Sequence, residues 1–381
     1  MGKEKRLFLL AVMTLMMSTV GYSAQIDVTD KSEKNDGLLE VTGEVTGVQV
    51  NGSGEFTNNG EIVVKASKNT GVFGIENVKG NSINNGTITI NKGVGIKVTN
   101  GTFINSINKD IVVNVNTNKS ADGKAIFVSG GNAVVENKGN VKVEKGNGIE
   151  VKSGTFNNSG NIIINKNSSL GNKDVYGIKS SGNFNNTGTI TNEDKILIEG
   201  GTFSNGKIDE KDGTVTNGTV TNSGTIKIFG GSFDNVAGDI TNNGIINISK
   251  NGKFNHSAGK VTNNNQMDIT SSSGGQIGYE ISGTGELINN KDKVINITSS
   301  GKESIGINQK ENGKLTNNGQ INITASGEKS IGIKLDNNEK DKTTIFNNTG
   351  TININASGKN SIGIKVNNGK QKAEFNNEKG T

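Results

Sequence analysis

The stretch Ile240-Thr241-Asn242-Asn243-Gly244-Ile245-Ile246-Asn247-Ile248 decides the fold class. Apolar residues stand at every second position on both sides of an Asn-x-Gly step, the period of an extended chain that buries one face. Clear copies run Phe56-Asn58-Gly60-Ile62-Val64, Val135-Asn137-Gly139-Val141-Val143 and Phe156-Asn158-Gly160-Ile162-Ile164. Others are Val220-Asn222-Gly224-Ile226-Ile228, Leu315-Asn317-Gly319-Ile321-Ile323 and Phe346-Asn348-Gly350-Ile352-Ile354. Looser copies lie at Phe184-Asn186-Gly188-Ile190, Asn85-Gly86-Ile88-Ile90 and Val261-Asn263-Met267-Ile269. A second pattern falls between copies, as in Gly95-Ile96-Lys97-Val98, Gly148-Ile149-Glu150-Val151 and Gly332-Ile333-Lys334-Leu335. A third, Gly154-Thr155-Phe156 or Gly231-Ser232-Phe233, links the two.

One unit therefore reads as strand, Gly or Asn turn, strand, Asn-x-Gly turn, strand. The motif glycines at 139, 160, 188, 224 and 244 are 21, 28, 36 and 20 residues apart, and 319 and 350 are 31 apart. Helical solenoids need about 33 residues per repeat and apolar spacings of three and four. The expected fold is an all-β parallel solenoid, a β-helix with three short strands per coil, each paired with the same strand of the coils before and after. Repeats fill residues 51–381, and 25–50 is expected to cap the open first coil. The recurrent pairs Asn58 and Gly60, Asn137 and Gly139, Asn158 and Gly160, Asn186 and Gly188 are expected to form one structural ladder. Asn222 and Gly224, Asn242 and Gly244, Asn317 and Gly319, Asn348 and Gly350 continue it. Each amide would donate to the next, and Gly and Asn suit corners because they tolerate positive φ. Length variation is expected after the third strand, at Lys166–Asp174 or Ala325–Lys329. Roughly 13 coils rising about 4.8 Å each would make a rod on the order of 60 Å. Low-complexity disorder is the competing reading, but disorder does not place Ile on alternate positions in phase with Asn-x-Gly.

The composition agrees with a thin, repetitive core. Of 381 residues, 55 are Gly and only 30% are hydrophobic, with no Pro, Cys or Trp. Such a chain cannot fill a thick globular interior, whereas a solenoid asks only a few aliphatic residues of each coil. Cysteine frameworks and thiolate chemistry are excluded outright, and one histidine, His256, cannot make a multi-histidine metal cluster. The 41 basic and 36 acidic residues interleave to a net +5, which favours neither nucleic acid nor a polybasic membrane contact.

Lys3-Glu4-Lys5-Arg6, the apolar run Leu7 to Val20 and Gly21-Tyr22-Ser23-Ala24 have the order of a secretory signal peptide spanning 1–24. Cleavage is expected after Ala24, or after Ser23 because Tyr22 is bulky. Arg6 is the only Arg, so the exported chain would carry its positive charge as Lys. Together with the Phe-Asn-Asn-x-Gly-x-Ile-x-Ile units, the segments Ser304-Ile305-Gly306-Ile307, Ser330-Ile331-Gly332-Ile333 and Ser361-Ile362-Gly363-Ile364 make the chain resemble the passenger region of large surface autotransporters of fusobacteria and their relatives. That resemblance implies a right-handed β-helix acting as a stalk or adhesin. It would be shown at the outer-membrane surface by its own carboxy-terminal β-barrel or by a separate outer-membrane transporter, and would meet host-cell or bacterial surface ligands. The sequence departs from the family in having no barrel segments. It stops at Phe375-Asn376-Asn377-Glu378-Lys379-Gly380-Thr381, where the next coil residue is due, so a fragment of a longer chain is expected.

Since β-solenoids include lyases and glycosidases, the alternative is a secreted carbohydrate-active enzyme, which needs paired carboxylates. The best cluster is Asp209, Glu210 and Asp212 with Glu193 and Asp194 nearby, but the interleaved Lys207 and Lys211 read as a solvated loop. His256 occupies a ladder position, and Tyr176 and Tyr279 are the only tyrosines after the leader. No nucleophile elbow, phosphate loop, dinucleotide fingerprint or calcium nonapeptide occurs, so no cofactor or catalytic residue is assigned. Thr87-x-Thr89, Thr189-x-Thr191, Thr214-x-Thr216 and Thr219-x-Thr221 resemble ice-binding pairs, but Asn353-x-Asn355 interrupts the series.

Overall fold

The structure, a computed structural model, describes residues 26–67, 71–115, 124–166, 175–209, 211–212, 214–337, 341–367 and 372–378. The expected signal peptide at 1–24, the 167–174 loop, Glu210 and the final residues 379–381 lie outside them. Within the described residues there are forty-two strands and no helix. Apart from one antiparallel hairpin, all strand pairs are parallel and join one coil to the next. The protein is a parallel β-helix.

Each coil has three faces. The first carries strands such as Val94–Val98, Asn147–Val151 and Gln320–Ala325. The second carries Gly101–Asn105, Thr155–Asn158 and Ile331–Asp336, and the third Asp110–Asn114, Asn161–Ile164 and Thr344–Asn348. The third face is one sheet of fourteen strands, so the stack has fourteen rungs and rises about 60 Å at about 4.8 Å per step. Inward positions form unbroken columns. On the third face one runs Ile190, Val220, Ile240, Val261, Leu287 and Leu315, all at most 1% exposed. In the last described coil Ile354 and Phe375 are 51% and 36% exposed, since no further described coil covers them.

Residues 26–43, inside the expected cap, already form a coil. Ile26–Val28 and Glu33–Asn35 pair in parallel with Val48–Asn58, and Leu38–Gly43 pairs with Glu61–Ala66. Among the described residues the stack therefore begins with this coil, on which Asp27, Glu33, Lys34 and Asp36 are exposed.

The repeat unit does not keep one place on the coil. In the early coils Gly-Ile-Lys strands lie on the first face, as Gly95 and Gly148 do, and Asn-x-Gly turns from the second face to the third. In the late coils Gly306-Ile307 and Gly332-Ile333 lie on the second face, and Asn-x-Gly turns from the third face to the first. The unit has advanced by one face. Its internal geometry is unchanged: a Cβ on Gly95 would lie 2.6 Å from Ile90 Cγ1, and one on Gly306 would lie 2.1 Å from Ile297 Cγ2. In both positions glycine is demanded by the aliphatic side chain of the strand before it.

Candidate functional site

Because the unit shifts, the single asparagine ladder expected from sequence is two ladders. The first runs through Asn58, Asn84, Asn105, Asn137, Asn158, Asn186, Asn205 and Asn235 on the second face, beginning at Asn35. Each Nδ2 donates to the next Oδ1 at 2.7–2.9 Å. The second runs through Asn192, Asn222, Asn242, Asn263, Asn289, Asn317, Asn348 and Asn377 on the third face, with bonds of 2.6–2.8 Å. Asn58, Asn137, Asn158 and Asn186 thus belong to one column, and Asn222, Asn242, Asn317 and Asn348 to another. The coils between residues 186 and 242 carry both.

The Asn-x-Gly spacing has a local cause. The second amide hydrogen of Asn58, Asn137, Asn158, Asn222, Asn317 and Asn348 is directed to the carbonyl of the glycine two residues on, at 3.1–3.4 Å. Those glycines stack closely. A Cβ at Gly160, Gly188, Gly244 or Gly350 would come within 2.0–2.1 Å of the carbonyl oxygen of the glycine one coil earlier. Gly60, Gly139, Gly224 and Gly319 are equally crowded by backbone, at 2.0–2.4 Å. At residues 84–86 the ladder residue is Asn84, whereas the sequence pattern had aligned Asn85.

Sequence reading missed Asn105, Asn205 and Asn235, because their corners lack glycine two residues later, and Asn192, Asn289 and Asn377 for the same reason. The signal that would have found them is an Asn two residues after an inward apolar residue, with no demand for glycine. Changing Asn222 to Leu removes the acceptor of Asn192 and the donor to Asn242, leaving both in the dry interior. We expect a loss of about 2–4 kcal/mol, read as a lowered urea midpoint. Asn243→Ala, at the exposed middle position of the corresponding turn one coil later, should shift stability by no more than about 0.5 kcal/mol.

Beside the first ladder runs an aromatic column. Phe156, Phe184, Phe203, Phe233, Phe254 and Tyr279 stack with centroids 4.6–4.8 Å apart and planes within 24° of parallel. Ladder and column change chemistry together. His256 takes the rung after Asn235, and Tyr279 follows Phe254. Tyr279 Oη lies 3.1 Å from His256 Nδ1, and His256 Nε2 lies 2.9 Å from the Gly259 carbonyl. A carbonyl only accepts, so Nε2 carries the proton and Nδ1 accepts from the phenol.

His256 is wholly buried, and both its nitrogens are engaged within the stack, so it does not face solutes. Burial lowers its pKa from 6.5 to about 4, against the opposing Gly259 hydrogen bond. The unfolded chain, with a histidine near 6.5, binds the proton first as pH falls. Stability associated with His256 is therefore complete above about pH 6.5 and lost progressively toward pH 4, by about 3 kcal/mol. The difference in urea midpoint between the protein and His256→Gln should show this pH dependence; a constant difference from pH 7 to 4 would contradict it.

The acidic cluster lies on the one hairpin. Lys207–Ile208 and Val215–Thr216 pair antiparallel, between Gly206 and Gly218 at the corner joining second and third faces. Asp209 is 3.9 Å from the Lys207 ammonium and accepts from the Lys211 N–H at 3.0 Å. Asp212 accepts from the Thr214 N–H at 2.8 Å, and its bonds to the Thr214 hydroxyl and backbone hold its carboxyl below the usual value. These carboxylates shape the turn. Glu193 accepts instead from the Lys166 N–H at 3.3 Å. The expected threonine series is also divided. Thr191, Thr221, Thr241 and Thr262 align outward on the third face, but Thr189 and Thr219 continue into Asp239 and Lys260, and Thr214 and Thr216 belong to the hairpin.

The hairpin overhangs a groove of about 470 Å³. One wall is formed by Asn157, Asn185 and Ser204, successive outward residues of the second face. Ser159 and Thr187 line the adjoining corner, and Lys207 and Ile208 form the hairpin side. The interior ladders and this outward groove define the class, a parallel β-helix with one antiparallel lateral hairpin among the described residues. No family model, curated protein or solved structure matches the chain.

Proposed function

We propose that the chain is the exported, non-enzymatic passenger of a surface-display system, serving as a stalk or adhesin at the outer membrane. The observation that carries this reading is axial continuity. Two buried amide ladders and an aromatic stack tie each coil to the next, so the most repeated side chains of the sequence serve length and rigidity. Stacked repeats of this kind present extended lateral surfaces, and outward ion pairs between coils keep those surfaces wettable. Examples are Lys97–Glu76, Lys142–Asp110 and Lys314–Glu286 at 2.7–2.8 Å, each contributing at most about 1 kcal/mol. The leader-like start and the autotransporter-like motifs supply the export half of the proposal. A β-barrel, its own or a separate transporter's, is the partner that would place it outside the cell.

Antibodies against the third face should label intact producing cells, and the isolated chain should image as a straight rod. Labelling only after lysis would overturn surface display. Polysaccharide turnover abolished by Asp209→Ala or Asp212→Ala would replace the adhesin reading with the carbohydrate-active enzyme.

A further inference from the structure

We infer that the groove beneath the 207–216 hairpin is a binding site for a short acidic oligosaccharide. The assignment deepens the adhesin reading and rests on it. Along the coil faces the backbone N–H and C=O groups are committed to the neighbouring coils, as in Asn183 N to Gly154 O at 3.0 Å and Ser232 N to Gly201 O at 3.0 Å. An incoming peptide strand finds no edge there, and recognition is left to side chains. Those lining the groove suit hydroxyl groups. Asn185 Nδ2 donates to Asn157 Oδ1 at 2.8 Å, which leaves the Asn157 amide hydrogens and the Asn185 carbonyl for a ligand. Ser159 Oγ and Thr187 Oγ1 lean back to the Asn137 and Asn158 carbonyls at 3.4 and 3.3 Å, so their lone pairs remain to accept from sugar hydroxyls.

The hairpin supplies the other two requirements. Ile208, 43% exposed, offers an apolar surface for the C–H face of a ring. The Lys207 side chain is 66% exposed with its carboxylate partner 3.9 Å away, a cation available to a ligand carboxylate. Among the described residues none that lines the groove is acidic. Along the same outward column the carboxylates return at Glu136 on one side and Asp234 on the other, which confines an anionic ligand to three coils and hence to a short oligosaccharide. The place is rigid because Gly206, where the hairpin leaves the coil, sits so close to Ala237 that a Cβ would meet its backbone at 2.7–2.9 Å.

The experiment titrates the full chain with trigalacturonate by calorimetry, beside maltotriose as the neutral sugar and triglutamate as the acidic peptide. Saturable binding of trigalacturonate alone is expected, weakening as salt rises. Lys207→Gln should reduce affinity about tenfold or more, Asn185→Ala several-fold, and Lys211→Gln, the same charge change away from the groove, not at all. Unchanged circular dichroism in each variant separates lost contacts from lost fold. No binding of trigalacturonate, equal binding of maltotriose or triglutamate, or indifference to Lys207→Gln overturns the assignment. The titration uses isolated protein, so its failure leaves surface display standing, and failure of cell labelling leaves the groove's binding standing.

Discussion

Replacing Ile321 by Lys is expected to destabilise the protein by about 5 kcal/mol at neutral pH. Ile321 is fully buried between Ile295 and Ile352 on the first face, and among the described residues no carboxylate is buried in the narrow interior to pair with an ammonium. Buried lysines respond by giving up the proton, with pKa values falling to about 5–6. Holding the amine neutral at pH 7, when its reference value is about 10.4, costs about 4–5 kcal/mol at about 1.4 kcal/mol per pH unit, and the lost aliphatic packing adds to that. The sign of the pH dependence follows. Between the two pKa values the unfolded variant binds the proton and the folded one does not, so the variant gains stability as pH rises. The gap to the parent protein in urea midpoint should therefore narrow from pH 7 to 10; a gap that stays constant would mean the lysine has reached solvent. Ile352→Lys should cost less, because Ile352 lies in the last described coil and is only partly buried. Lys334→Gln, on the outward side and paired with Asp336, should change stability by no more than about 1 kcal/mol.

Phe203→Ala comes next, at about 3–5 kcal/mol. The ring is fully enclosed and stacked on Phe184 at 4.6 Å and Phe233 at 4.8 Å, so truncation opens a cavity and removes two stacking contacts. The coils are held in register on both sides and cannot collapse into the gap. Phe203→Leu should cost about 1.5 kcal/mol or less, since the same column carries Val135 below and Ile307 and Ile333 above. Hydrogen exchange should locate the damage. In a linear stack where each coil touches only its neighbours, amides near 184–233 should lose protection before those near 315–348. Uniform loss along the chain would show that the stack unfolds as one unit.

Much of this architecture is legible in the chain. Alternation of inward and outward residues is a property of a few consecutive positions, which is why Ile240-Thr241-Asn242 and Gly244-Ile245-Ile246 identify strands and turn without any knowledge of neighbours. The glycine two residues after each motif asparagine is equally local, since that asparagine's amide reaches that glycine's carbonyl. The rungs at Asn105, Asn205 and Asn289 escaped because their glycine is missing and only the stacked coil shows them aligned. The groove escaped for a related reason: Asn157, Asn185 and Lys207 are far apart in sequence and meet only when three coils lie on one another.

The class of the molecule, a parallel β-helix with ladder asparagines, was thus settled by the sequence itself, through a pattern each segment carries alone. Which corner each segment turns was not. Strand, Asn-x-Gly and strand make the same internal hydrogen bonds between second and third faces as between third and first, so nothing local distinguishes Asn158 from Asn317. Only the stacking of each coil on the one before chooses the corner, and with it the two ladders, the His256–Tyr279 pair where the first one ends, and the place where the hairpin leaves the rod.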